Sequence, residues 1–126
     1  MANAERRYSK DHEWVRVEGN EAYIGITEFA QSQLGDIVYV ELPEVSSSVD
    51  KDEAVCAVES VKTAADIISP VSGTIIAVNE ELEDQPEMIN EDPYSAWIIQ
   101  VELSDLSEVD SLMDESEYST YCENEE

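Results

Sequence analysis

Seven short segments rich in valine and isoleucine run through this chain, and turn-forming residues separate them before any reaches helical length. They read EWVRVEG, EAYIGIT, DIVYVELP, EAVCAVES, ADIISP, GTIIAVN and AWIIQVEL. Short strands at this spacing predict a β-sandwich or barrel rather than alternating βαβ units. The first two alternate apolar with polar residues and meet at Gly19-Asn20, a hairpin signal.

Helices are secondary in this pattern. TEFAQSQLGD offers Thr27 as a cap, Gly35 as a stop, and Phe29, Ala30 and either Gln33 or Leu34 along one face. NEELEDQPEMINEDPY is too acidic and proline-interrupted for a strand and reads as a loop with one helical turn. From Ser104 onward, Leu106, Val109, Leu112 and Met113 follow a helical period, and Asp114 with Glu117 fits a capping box. The expectation is one domain over 1–126, with a core over about 7–103, a helical segment over about 104–122 and a frayed tail at 123–126.

A weak internal echo supports a sandwich with quasi-two-fold symmetry. Gly35-Asp-Ile-Val-Tyr-Val resembles Gly73-Thr-Ile-Ile-Ala-Val, 38 residues later. Each copy passes through a polar loop into a second apolar strand, EAVCAVE in the first and AWIIQVE in the second.

Charge restricts the partners. Thirty-one acidic against six basic residues give a formal net charge of -25. Such a surface repels phosphate backbones and anionic lipid, keeps a chain monomeric, and favours partners with basic docking faces. The apolar runs fall far short of the ~20 residues that span a bilayer. MANAERRYSKDHEW has no apolar stretch of the signal-peptide kind, so the expected location is the cytoplasm. Cys56 and Cys122 lie 66 positions apart with no CxxC spacing, and His12 is the only histidine. That composition argues against a metal cluster, a redox pair or a self-sufficient nucleophilic triad.

One of only three lysines, Lys62, stands between two apolar runs in AVESVKTAADIISPVSG. Lysine is poor in strands and cores, so VKTA is expected to be the turn of an antiparallel hairpin with Lys62 at its tip. A reachable amine held in fixed geometry is what an enzyme modifying that lysine needs.

The stretch VESVKTAAD…SPVSG resembles the lipoylation site of the glycine cleavage system H protein family. The resemblance extends through YSKDHEWVRVEGNEAYIGITEFAQSQLGDIVYVELPEV, NEELEDQPEMINEDPY and the acidic helical tail. It implies a mainly β fold, the barrel-sandwich hybrid, with short peripheral and C-terminal helices. It also implies lipoic acid in amide linkage to Lys62, and Glu59 and Gly73 as the positions read by the lipoyl-attaching enzyme.

The family's task is to carry the aminomethyl intermediate of glycine as a non-catalytic component. The implied partners are the pyridoxal-phosphate glycine decarboxylase, the tetrahydrofolate-dependent aminomethyltransferase and dihydrolipoyl dehydrogenase. By the same resemblance Glu13 and Asp66 match positions near the stored aminomethyl group. His12 either lines that cleft or serves as a structural hydrogen-bonding residue. A lipoyl relay protein serving a sulfur or redox partner would use the same lysine; Glu13 and Asp66 favour glycine cleavage. The sequence departs from the family at EVSSSVDKDEA and DPYSAWIIQ, where glycine is usual, which concerns turn geometry rather than attachment.

Overall fold

The computed structural model describes residues 6–105 and 107–125, and its strands form two antiparallel sheets rather than one closed cylinder. The larger sheet contains β1 (Arg6–Tyr8), β2 (Glu13–Glu18), β3 (Glu21–Ile26), β5 (Ser48–Val49), β8 (Gly73–Val78) and β9 (Ile99–Leu103), in the order β1-β2-β3-β9-β8-β5. The smaller contains β4 (Ile37–Glu41), β6 (Ala54–Ser60) and β7 (Ala64–Ile68), in the order β4-β6-β7. Val15, Ile24, Ile75, Ile99 and Val101 from the first sheet and Val40, Val58 and Ile67 from the second share one buried cluster. Each fully buried aliphatic side chain of this kind contributes about 1.5–3 kcal/mol.

All seven expected strands form, and two more appear. The pair β2–β3 turns at Gly19-Asn20, with Gly19 at φ +64°. Strand β1 was not anticipated because Arg6 and Arg7 are poor strand residues; it adds to the edge through Tyr8 opposite Trp14. The two-residue β5 was too short to leave a pattern.

The loop region yields two helical turns instead of one, α2 (Glu81–Asp84) and α3 (Met88–Glu91), because Leu82 and Ile89 each drop into the core. Helix α1 (Glu28–Leu34) begins and ends where expected: Thr27 Oγ1 accepts the Ala30 N–H at 3.2 Å, and Gly35 closes the other end.

The C-terminal segment needs correction. Helix α4 (Ser107–Asp110) is a single turn that buries Val109, and Leu106 lies outside the described residues. Met113 is not helical: its N–H and C=O pair with those of Tyr8 at 2.9 and 2.8 Å. Asp114 and Glu117 then form the expected capping box, through bonds of 2.8 and 3.0 Å. Helix α5 (Glu115–Glu125) continues through most of the tail expected to fray, while Glu126 lies outside the described residues. Tyr118, Tyr121 and Cys122 put a stripe at helical spacing against a second cluster built on Tyr8 and Trp14.

The internal echo is structural. In β4–β6 the paired residues are Ile37↔Ser60, Tyr39↔Glu59 and Val40↔Val58, with a bulge between Ile37 and Tyr39. In β8–β9 they are Ile75↔Val101, Ala77↔Gln100 and Val78↔Ile99, with a bulge between Ile75 and Ala77. The first members differ by 38 residues (75 − 37) and the second by 41 (101 − 60), and the bulge falls at the same step. Sequence, register and irregularity all repeat, which defines the quasi-two-fold sandwich.

Candidate functional site

Lys62 lies at the exposed tip of the β6–β7 hairpin. Several bonds set the shape of the tip. Ser60 N–H donates to the Thr63 carbonyl at 2.7 Å, closing the turn. The Ser60 hydroxyl accepts the N–H groups of Lys62 (3.2 Å) and Thr63 (3.1 Å), the side-chain turn chemistry typical of serine. Val61 N–H donates to the Asp36 carbonyl at 3.0 Å, fastening the tip to the segment between α1 and β4.

Gly35, at φ +82°, runs beside the lysine. A Cβ there would stand 3.0 Å from Lys62 Cε. Around the tip, Val61 is 66 % exposed, and Val38 and Tyr39 of β4 are about half exposed. Glu59 is also exposed and is flanked across the sheet by Tyr39 and Ala64.

The other candidates divide into separate places. Gly73 opens β8 in the larger sheet, paired with Leu103 and Val49, and a Cβ there would overlap the Glu102 carbonyl oxygen. Its lack of a side chain is thus explained by the close approach of β9. Glu13 is 2 % exposed. Its carboxylate accepts the Ser9 hydroxyl at 2.5 Å and the Ile68 N–H at 3.2 Å. Burial pushes its pKa up to about 7, against the lowering effect of those two bonds.

Asp66 is exposed on β7, opposite Ala57. It and Glu13 converge electrostatically on Cys56, a buried free thiol. Burial first, then Glu13, Glu41 and Asp66, raise that thiol to about 12, so it stays protonated and unreactive at neutral pH.

His12 joins a different group. Its Nδ1 is 2.8 Å from the Tyr118 hydroxyl, and its ring stacks on Phe29. The same hydroxyl lies 2.6 Å from Thr27 Oγ1, linking α5 to the cap of α1.

Sequence reasoning missed Asn90. Its Nδ2 donates to the Gly35 carbonyl and to Gln31 Oε1, both at 2.8 Å, and its Oδ1 accepts the Ile37 N–H at 2.8 Å. No local pattern announces such a role, because the partners lie 53–59 residues away. Among the described residues no group of three or more His, Cys, Asp or Glu side chains could hold a metal, and no helix is long and apolar enough to cross a membrane.

A small β-sandwich that displays one lysine on a fastened hairpin tip defines the class of carrier domains that bear a prosthetic arm. The family described as "Glycine cleavage H-protein" matches residues 6–125. The glycine cleavage system H protein of Alkaliphilus oremlandii is 58% identical over 118 residues, covering 94% of this chain and 93% of that one. That of Brevibacillus brevis is 60% identical over 113 residues, covering 89% and 90%. The crystal structure of a glycine cleavage system H protein from Mycobacterium marinum superposes with a TM-score of 0.87 at 38% identity, covering 97% of this chain and 99% of that one. This chain belongs to the glycine cleavage H-protein family, the lipoyl-carrying shuttles of the glycine cleavage system, which are carriers and not enzymes.

Proposed function

We propose that Lys62 is the residue that carries lipoate, and that the chain works in the cytoplasm as the mobile carrier between the enzymes of glycine cleavage. The observation that supports this most directly is the exposed lysine on a turn fastened by Ser60 and Asp36. Such a tip presents Nζ without an entropic search by the backbone. In the attachment step the unprotonated Nζ forms an amide bond to an activated lipoyl carboxyl carbon. The carboxyl's leaving group departs and one proton leaves the nitrogen.

Lipoate so held supplies a dithiolane at the end of a long arm, which exchanges the aminomethyl group and electrons. The chain's own residues supply placement and shelter. Glu59, exposed on the strand leading to the tip, is the side chain we assign to recognition by the lipoyl-attaching enzyme. Gly73 is the second recognition position, acting through the backbone path of β8. Glu13 and Asp66 are the cleft carboxylates for a cationic aminomethyl cargo, and His12 supports the loop before Glu13 through Tyr118. The partners we assign are glycine decarboxylase, aminomethyltransferase and dihydrolipoyl dehydrogenase.

The test is intact-protein mass before and after incubation with a lipoyl-attaching enzyme, lipoate and ATP, with Lys62→Arg alongside. One lipoyl addition on the wild type and none on the variant is expected, since arginine keeps the charge but cannot form the amide. Addition to the arginine variant would overturn the assignment. The loaded protein is then expected to support glycine decarboxylation with the three partner enzymes.

A further inference from the structure

The lysine tip is not held by its own hairpin alone. Its external fastening, Val61 N–H to the Asp36 carbonyl, reaches a corner of three residues, 35–37, between α1 and β4. That corner is in turn gripped by one side chain. Asn90, in the last turn of α3, uses Nδ2 on the Gly35 carbonyl and Oδ1 on the Ile37 N–H, so its amide brackets Asp36 as a neighbouring strand would. A second Nδ2 bond to Gln31 Oε1 ties the same amide to α1. Gly35 completes the path: its left-handed backbone sends its carbonyl to Asn90 and leaves the Lys62 side chain room to pass.

We propose that Asn90 is a positioning residue for the modification of Lys62, holding the 35–37 corner that anchors the hairpin tip and borders the lysyl stem. This rests on Lys62 being the lipoylated residue. The amide has both donor and acceptor in use, and aspartate could serve only the acceptor half. Without the grip, the corner keeps its chain connections but loses two bonds and the amide's tie to α1, and the Asp36 carbonyl is no longer fixed opposite Val61. An attaching enzyme then meets a tip that must be ordered on binding, which raises KM more than it lowers kcat.

The experiment compares wild type, Asn90→Ala, Asn90→Asp and Ile99→Val. The last opens a cavity in the larger sheet and controls for general destabilisation. Hydrogen exchange is read at the Val61 amide and across β8 and β9; lipoylation kinetics are read by intact mass. For Asn90→Ala we expect at least tenfold faster exchange at Val61, with the β8 and β9 amides unchanged. We also expect about a tenfold loss of kcat/KM for lipoylation, carried mainly by KM. Asn90→Asp is expected to fall between, because it retains the acceptor for Ile37.

Unchanged Val61 exchange in Asn90→Ala overturns the proposal, as does an equal kinetic loss in an Ile99→Val protein of matched melting temperature. A wild-type chain that takes no lipoyl group removes the Lys62 assignment and the positioning role with it. A modified wild type with an equally modified Asn90→Ala removes only the inference about Asn90.

Discussion

The carboxylate of Glu13 accepts the main-chain N–H of Ile68 at 3.2 Å, so an ionisable group from the larger sheet is bonded directly to the smaller one. Its position between the sheets is what removes it from water, and the desolvation exceeds the help from Ser9 and Ile68.

This gives a defined pH signature. The folded pKa of about 7 lies above the ordinary value of 4.5, so between those limits the folded chain binds more protons than the unfolded one. The stability contributed by Glu13 is therefore full below about pH 4.5 and lost as pH rises through 7, a span on the order of 3 kcal/mol. Glu13→Gln keeps an acceptor for Ile68 without the charge. Unfolding free energy measured from pH 4.5 to 8 is expected to fall less steeply in the variant than in the wild type. Parallel curves would overturn this, because Glu13 would then bind protons alike in the folded and unfolded chain.

Ser46 lies in the EVSSSVDKDEA turn. It sits at φ +81°, a left-handed conformation disfavoured for residues with a Cβ by about 1–2 kcal/mol. The bonds that hold this turn are main-chain, Ser46 N–H to the Ile75 carbonyl at 2.7 Å and Ile75 N–H to the Ser47 carbonyl at 2.8 Å. Ser46→Gly is expected to stabilise the protein by about 1 kcal/mol in denaturant unfolding, with the m-value unchanged.

Glu59 and Gly73 separate by their effects on stability. Glu59→Ala removes an exposed carboxylate, so the melting temperature should hold while lipoylation slows; surface changes of this kind stay within about 0.5 kcal/mol. Gly73→Ala drives a Cβ into the Glu102 carbonyl, so stability is expected to fall by about 1–3 kcal/mol together with the lipoylation rate. An alanine variant at 73 that keeps its melting temperature but resists lipoylation would assign Gly73 to recognition alone.

Among the described residues, truncation after Leu103 removes the buried side chains of Val109 and Tyr118 and the main-chain pairing of Met113 with Tyr8. A loss of about 3–6 kcal/mol is expected from the burial alone, seen as a lower midpoint in urea. An unchanged midpoint would make the C-terminal segment an independent appendage.

The strands were legible because valine and isoleucine sit where turns permit, and the hairpin tip was legible because lysine has no other reason to interrupt that run. The repeat was visible as letters, but only the matching bulges show that it governs the backbone. What was hidden depends on distance along the chain. Asn90 acts on residues 53–59 positions away, His12 is claimed by a tyrosine 106 positions later, and Arg6 and Arg7 become a strand only because β2 lies beside them. None of these follows from local propensity or spacing.

The repeat also bears on how many passengers such a shuttle holds. Carrying the 41-residue offset from β6 to β9 two steps further sets Lys62 against Leu103, and Gly35, beside that lysine, corresponds to Gly73, paired with that leucine. Leu103 is buried, with its N–H on the Asn20 carbonyl. The two halves of the molecule thus end in one berth open to visitors and one sealed against the interior. Of these two related positions, only the one at Lys62 can be reached from solvent.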